Sequence, residues 1–338
     1  MYSKTLEKLM ERKDLSQVEM EEMMDQIMSG KLTDSQISAV LTALRIKGET
    51  KDEITGCAKV MREKAAKVRV LDENAIDTCG TGGDGKHTIN ISTVSAIIAA
   101  TAGVTVVKHG NRSVSSKCGS ADVLSDLGVK IDLDPSGASR CLDKAKIAFL
   151  FAPIYHPSMK YVMNTRRELG IRTIFNILGP LANPGLVKNQ IVGVFDANLT
   201  EMMAEVLKEL GLNRALVIHG MDGLDEISIS DETKVTELKN GQIRTYMIKP
   251  EDFGMKRASI ENIKGGSSKE NANMLIDLLK GNVGNIKDVV LLNSGAAIYV
   301  GGKARTIAEG IEIARSVLDS GKAFEKLEEL KAVSNLAI

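Results

Sequence analysis

Two short stretches concentrate the residue types that hold and polarise an anion. The first runs Asp77-Thr78-Cys79-Gly80-Thr81-Gly82-Gly83-Asp84-Gly85 and continues past Thr88 into Asn90-Ile91-Ser92-Thr93. The second runs Lys108-His109-Gly110-Asn111-Arg112-Ser113-Val114-Ser115-Ser116 and is followed by Gly119-Ser120-Ala121-Asp122. Glycines let the backbone approach a ligand closely and adopt positive φ. Successive N–H groups then point at the anion, and a following helix N-terminus adds partial positive charge. Ser and Thr hydroxyls donate further hydrogen bonds, while Lys108 and Arg112 bring whole charges. One such loop suits one phosphate; two in series suit a ligand with phosphate groups at separated ends. Neither stretch matches G-x-x-x-x-G-K-[ST] or G-x-G-x-x-G, which removes the P-loop and dinucleotide-fold readings.

A third stretch, Gly220-Met221-Asp222-Gly223-Leu224-Asp225-Glu226, carries three carboxylates. Adjacent acids on a loop are usually just solvated. Beside a polyphosphate site they acquire a use, because Mg²⁺ takes one or two carboxylates plus phosphate oxygens and keeps several waters. Asp225 and Glu226 are the expected metal acids, with the Ser92 hydroxyl completing the shell. His109 is placed to contact substrate, His156 to cap the helix that follows it, and His87 and His219 have no assigned chemistry. No Ser/His/Asp nucleophile elbow is present, so the site binds and polarises rather than attacks.

The elements that must position these residues follow from hydrophobic pattern. Residues 1–68 read as all-helical. Ser16-x-x-Glu19, Thr33-x-x-Gln36 and Thr50-x-x-Glu53 are capping boxes, and Gly30 and Gly48 stand where the first two of those helices should stop. Ile37, Val40, Leu41 and Leu44 follow helical spacing. Met20, Met23, Met24, Ile27 and Met28 form a second stripe, readable as core or as a self-association face, since Met-rich surfaces repack easily. From Asn74 short apolar runs alternate with helical patterns. The candidate strands are Ala75–Thr78, Val104–Val107, Ile147–Phe151, Gln190–Phe195 and Ala215–His219, with helices at 93–102, 120–127, 136–145 and 199–210. That alternation predicts an α/β fold with a mainly parallel sheet, whose ligands lie outside the carboxyl ends of the strands. Both glycine loops fall at such ends.

Residues 152–185 interrupt the alternation with helical spacing at Met159, Val162, Met163 and Arg166 and no strand, which predicts a return to the helical domain. The expected division is a helical domain at 1–70, rejoined by about 157–183, and an α/β domain at 71–338. Asn240-Gly241 marks a hairpin between Lys234–Leu238 and Gln242–Ile248. Ser267-x-x-Glu270 and Thr306-x-x-Glu309 open later helices, and the last stretch of the chain is helical without a catalytic signature.

Composition narrows the classes. The 338 residues carry 44 basic and 44 acidic side chains, so no global basic field for nucleic acid exists and any anion site is a local feature. Four dispersed cysteines without a C-x-x-C pair argue against zinc or a disulfide framework. The absence of Trp leaves little for base stacking. No apolar run approaches a membrane span or signal peptide, and a cytoplasmic protein is expected.

At these residues the chain resembles the anthranilate phosphoribosyltransferase family of tryptophan biosynthesis. The resemblance is carried by Gly80-Thr81-Gly82-Gly83-Asp84, Asn90 to Thr93, Lys108 to Ser116, Gly119 to Asp122, His156-Pro157, Arg166 to Gly170, Arg172 to Asn176, Gly179-Pro180-Leu181, Asn183-Pro184 and Asp225-Glu226. Ile89 and Cys118 depart from the family's usual Phe and Ser.

The resemblance implies a helical domain joined to an α/β domain of nucleoside phosphorylase type, dimerising through the helical domain. It implies that Gly80, Gly83, Asp84, Thr88, Asn90, Ile91, Ser92, Thr93, Lys108, His109, Gly110, Asn111, Arg112, Ser113, Val114, Ser115, Ser116 and Ser120 hold phosphoribosyl pyrophosphate. Gly80, Asn111 and Arg166 would contact anthranilate. Ser92, Asp225 and Glu226 would hold two Mg²⁺ ions, and the metal site and Lys108 would stabilise the transition state. An anthranilate synthase partner is compatible with this reading. Two rivals are disfavoured. A pyrimidine nucleoside phosphorylase has no use for the acid pair, and a nucleic-acid-binding relative should have lost that pair or gained positive charge.

Overall fold

The computed structural model describes residues 2–112, 118–282, 284 and 286–336. Four helices open the chain: α1 (Tyr2–Met10), α2 (Gln17–Met28), α3 (Asp34–Lys47) and α4 (Lys51–Lys64). The capping boxes at Ser16, Thr33 and Thr50 are all formed, each hydroxyl accepting from the N3 amide while the N3 side chain reaches back to the cap. Gly48 closes α3 at φ 90°, and Gly30 follows α2 at φ 69°.

The α/β part continues with β1 (Ile76–Gly80), α5 (Ile91–Thr101), β2 (Val106–Gly110), α6 (Ser120–Asp126), α7 (Pro135–Ala145) and β3 (Ile147–Phe151). Next come the short helix α8 (Ala152–Tyr155), α9 (Lys160–Leu169) and the one-turn α10 (Phe175–Leu178). Then follow β4 (Asn189–Gly193), α11 (Leu199–Glu209), β5 (Arg214–Gly220), β6 (Thr233–Lys239) and β7 (Gln242–Ile248). Helices α12 (Ser268–Leu279), α13 (Lys287–Val300), α14 (Ile307–Asp319) and α15 (Lys322–Leu336) complete the described chain. Asn240 and Gly241 both adopt positive φ, as the two-residue hairpin requires.

The seven strands run in the order β3-β2-β1-β4-β5-β6-β7. The first five pair in parallel; β6 and β7 join antiparallel at one edge. From β1 the chain moves outward to β2 and β3, then crosses back to β4 on the other flank. The crevice beyond the ends of β1 and β4 is therefore the topological switch point, where open α/β sheets bind ligands. Gly80 and Gly193, the last residues of those two strands, stand side by side there.

One face of the sheet is covered mainly by α5 and the C-terminal helices α12–α15. The other is covered by α11 and the N-terminal helical bundle. Met20, Met23, Met24, Ile27 and Met28 all belong to that second core and are at most 2% exposed. The methionine stripe is thus not a self-association face. It is core, sharing one apolar cluster with Leu41, Ile54, Val162 and Leu207 within a single chain, because α4 and α9 pack on α2 and α11 packs on α4.

Candidate active site

The first glycine loop leaves β1 with Gly82, Gly83 and Gly85 all at positive φ, a succession that side-chain-bearing residues rarely adopt. It is tethered to β4 by the Thr81 amide, which donates to the Gly193 carbonyl at 2.9 Å, and by the Phe195 amide, which donates to Thr81 Oγ1 at 3.1 Å. Arg172 donates to the Gly83 carbonyl from the far side. The loop's tail pairs with residues 263–265, where Ile89 N donates to Ile263 O at 3.0 Å. Asn90 then opens α5. Its side-chain oxygen accepts from Asn271 Nδ2 at 3.0 Å and Cys118 Sγ at 3.4 Å, while its Nδ2 donates to the Cys118 carbonyl. This one residue ties both glycine loops to α12.

The acid pair reaches directly into this frame. Asp225 Oδ2 accepts from the Gly82 amide at 2.8 Å, and Glu226 Oε1 accepts from the Ser92 amide at 3.1 Å, in the first turn of α5. A Cβ on Gly80 would lie 2.4 Å from Asp225 Oδ2, and one on Gly193 would lie 1.5 Å from the Asp225 carbonyl oxygen. At Gly193 backbone excludes any side chain, whereas at Gly80 a Cβ would displace the Asp225 carboxylate; both glycines serve close approach rather than positive φ. Asp222, the third acid of the loop, is occupied by Leu224 N and the Ser228 and Ser230 hydroxyls and serves the turn itself.

Asp84 approaches instead, and its charge acts on both metal-acid candidates. Burial, together with that crowding, pushes the Asp225 and Glu226 carboxyls well above the ordinary range. A cluster that resists its own negative charge fits a cation. Among the described residues no three His, Cys, Asp or Glu side chains are arranged to hold a metal by themselves. The donor set is instead that of Mg²⁺, in which one or two carboxylates share the ion with ligand phosphate oxygens and water.

Lys108 lies below this cluster, almost wholly buried, and donates to the Thr78 carbonyl and to Ser92 Oγ at 3.2 Å. Desolvation lowers its pKa, opposed by Asp77, Glu226 and Asp225. Its charge faces the acid pair from within the protein. Strand alternation turns the neighbouring His109 to the other face of the sheet. There its amide donates to Asp77 Oδ1 at 3.1 Å, and its Nε2 meets His156 Nε2 at 3.2 Å. Desolvation depresses the two imidazoles to about 3 and about 4. His156 stands at the N-cap position of the turn at 157–159, where its carbonyl accepts from the Met159 amide at 3.0 Å, but its side chain makes no cap hydrogen bond and is the buried partner of His109.

In the second loop Arg112 pairs with Asp122 Oδ1 at 2.6 Å, and Asn111 accepts through its carbonyl from the Ala121 amide at 3.2 Å and Ser120 Oγ at 3.3 Å. Gly110 is packed under Ser120 and Phe149. Ser113, Val114, Ser115 and Ser116 lie outside the described residues. Thr88, Ile91 and Thr93 follow the first loop as expected, with Thr93 buried at the start of α5. Arg166 stands on α9 with its guanidinium 5.5 Å from the Phe175 ring centroid, and burial lowers its pKa. Asn271 and Arg172 were not expected at the site. The first gives no signal in the sequence, since it sits in an ordinary amphipathic helix. The second stands in a stretch that carries the resemblance but has no ligand role there.

Residues 72–324 match the family described as glycosyl transferase family, a/b domain, and residues 3–65 match glycosyl transferase family, helical bundle domain. An anthranilate phosphoribosyltransferase of Alkaliphilus metalliredigens is 54% identical over 99% of this chain and 98% of its own. The chain belongs to the anthranilate phosphoribosyltransferase family. The Acetivibrio thermocellus enzyme of that name is 55% identical over 99% of this chain and 97% of its own. Among solved structures, anthranilate phosphoribosyltransferase from Thermus thermophilus superposes with a TM-score of 0.93 at 41% identity, covering 98% of this chain and 99% of that one. The Saccharomyces cerevisiae enzyme in complex with PRPP and Mg superposes with a TM-score of 0.90 at 27% identity, covering 99% and 98%. The helical and α/β parts of the family are both present here.

Proposed function

We propose that this chain transfers the 5-phosphoribosyl group of phosphoribosyl pyrophosphate to the amine of anthranilate, as the names of its full-length relatives state for them. The observation that carries the reading is the convergence of the first glycine loop, the α5 N-terminus and the Asp225-Glu226 pair at the β1/β4 switch point. The amine nitrogen forms a bond to the ribose anomeric carbon, pyrophosphate leaves with the electron pair of the broken C–O bond, and the amine gives up a proton. An aromatic amine is uncharged at neutral pH, so no strong base is required.

The glycine loops and Ser120 hold the sugar phosphate, with Gly80, Gly83, Asp84, Thr88, Asn90 to Thr93 and Lys108 to Ser116 at or beneath its contacts. Arg166, Asn111 and Gly80 orient the acceptor, a positioning contribution that can supply much of the acceleration. Asp225, Glu226 and Ser92 hold Mg²⁺, two ions per subunit. When bound, the metal offsets the charge that grows on the departing pyrophosphate. Lys108, fixed under Ser92, adds to the same field and partly opposes the upward shift of Glu226.

The helical domain spans 1–70 and is rejoined by 157–183, a division supported by the packing of α9 on α2 and α3. The protein forms a homodimer through that domain, and exposed Met10, Val18 and Ile46 supply apolar surface for it. The test is anthranilate fluorescence in a mixture of the protein, phosphoribosyl pyrophosphate and Mg²⁺. Loss that needs all three supports the transferase; no loss with folded protein across a range of Mg²⁺ overturns it.

A further inference from the structure

Arg172 stands outside every role assigned so far. It follows α9 by three residues and precedes α10, on the exposed link between the two. Its guanidinium carbon lies 4.2 Å from the Phe195 ring centroid, and Nη2 donates to the Gly83 carbonyl. Phe195 is itself fixed to the same glycine loop, because its amide donates to Thr81 Oγ1 at 3.1 Å. The planar guanidinium thus lies on a ring anchored to the loop while its edge grips the loop backbone two residues further on. Stacking and a directed N–H donor are both properties of Arg that Lys does not reproduce. Gly83 holds positive φ at this point, so the carbonyl that Arg172 grips is oriented by the conformation that shapes the loop.

The link that carries Arg172 is stiff. Gly170 ends α9 in the left-handed region, Thr173 N donates to Asn176 Oδ1 at 2.9 Å, and Ile174 is buried. Arg166 lies six residues before Arg172 on the same rigid segment. The segment that presents the acceptor arginine therefore ends in a hand on the donor loop.

We propose that Arg172 is a positioning residue that couples the two substrates: it sets the donor loop according to the placement of α9, so occupancy of one half of the site favours the other. This rests on the phosphoribosyltransferase reading of the site. Binding coupling is reciprocal and can be measured from either ligand. Anthranilate reports its own binding by fluorescence, and pyrophosphate with Mg²⁺ fills the donor side without permitting reaction.

In the full-length protein, Mg²⁺-pyrophosphate is expected to tighten anthranilate binding by about five-fold or more, the lower range of typical couplings. Arg172→Ala should reduce that factor to about one, with anthranilate affinity in the absence of pyrophosphate and the melting temperature unchanged. Phe195→Leu should lose the coupling in the same way, and Arg172→Lys should not restore it. Coupling retained in Arg172→Ala, absent from the wild type, or fully restored by lysine overturns the proposal. If the wild type transfers phosphoribose in the fluorescence assay and yet shows no coupling, only this inference falls. If it neither transfers nor binds anthranilate, the function reading falls and takes the inference with it.

Discussion

Replacing Gly80 by alanine tests the central geometry with a single methyl group. The new Cβ would stand 2.4 Å from Asp225 Oδ2, whereas ordinary contact begins near 3.4 Å, so the carboxylate must retreat by about 1 Å. That oxygen is held by the Gly82 amide at 2.8 Å, and the retreat breaks or stretches this bond. Gly80 itself is not at positive φ, so alanine introduces no backbone strain there. A misplacement of about 1 Å in a positioning group costs on the order of 100-fold in rate, or about 2.7 kcal/mol of transition-state stabilisation. The assay is initial-rate loss of anthranilate fluorescence at saturating phosphoribosyl pyrophosphate, titrated with Mg²⁺, beside a thermal melt. A fall of that order, a raised Mg²⁺ requirement and an unchanged melt are expected. Asp225→Asn keeps an acceptor for the Gly82 amide and removes only the charge, so it should show the metal defect without the displacement. Gly193→Ala meets a backbone carbonyl at 1.5 Å and should fail to fold properly. Gly80→Ala activity within about three-fold of wild type at the same Mg²⁺ requirement would refute the placement of Asp225 as rate-determining geometry.

Arg166→Ala should raise the Michaelis constant for anthranilate by about 10- to 100-fold, the worth of a charged hydrogen bond, and leave that for the sugar phosphate nearly unchanged. Equal increases in both would mean that Arg166 acts only through its packing on Phe175. Met23→Ala should cost about 2–5 kcal/mol and lower the melting temperature by roughly 3–7 °C, with no change in mass by light scattering. A smaller assembly with an unchanged melt would restore the association-face reading. His109 and His156 are depressed from 6.5 to about 3 and about 4, so folding keeps them neutral. Their contribution is complete above about pH 6.5 and is lost as pH falls towards the folded values, at about 1.4 kcal/mol per pH unit for each. Asp77, raised to about 6, works in the opposite sense between 3.8 and 6, so the comparison is made against His156→Gln. The variant should lose stability less steeply than wild type between pH 6.5 and 4 in urea titrations, and parallel curves would contradict the burial argument.

What could be read in advance was whatever local chemistry dictates. Ser16, Thr33 and Thr50 announce helix starts because a cap is satisfied within four residues. Asn240-Gly241 announces its hairpin for the same local reason. The five parallel strands were legible as apolar runs, with ends displaced by one to three residues where Lys108-His109-Gly110 and Cys79-Gly80 continue the ladder as polar or small residues. The choice between core and association face for the methionine stripe was not legible, because the walls that bury it come from α4 and α9, with α11 packed on α4. The depth of Lys108 was equally hidden. Its place depends on Thr78 and Ser92 closing over it, and a lysine beside a glycine loop reads as an outward-reaching cation. Alternation along β2 could have warned that Lys108 and His109 cannot face the same side. Asn271 and Arg172 act through contacts spanning 181 and 89 residues, which no local pattern records.

The order of strands has a consequence for how the chain is made. β1 pairs with β2 soon after both emerge from the ribosome, but its other neighbour, β4, follows more than a hundred residues later. The N-terminal bundle is likewise missing a wall until α9 and α11 have been synthesised. Neither core can close on the first half of the nascent polypeptide. Long-range pairing of this kind slows folding and leaves apolar surface uncovered meanwhile. The methionine face, harmless in the finished protein, is the surface that a chaperone would meet first.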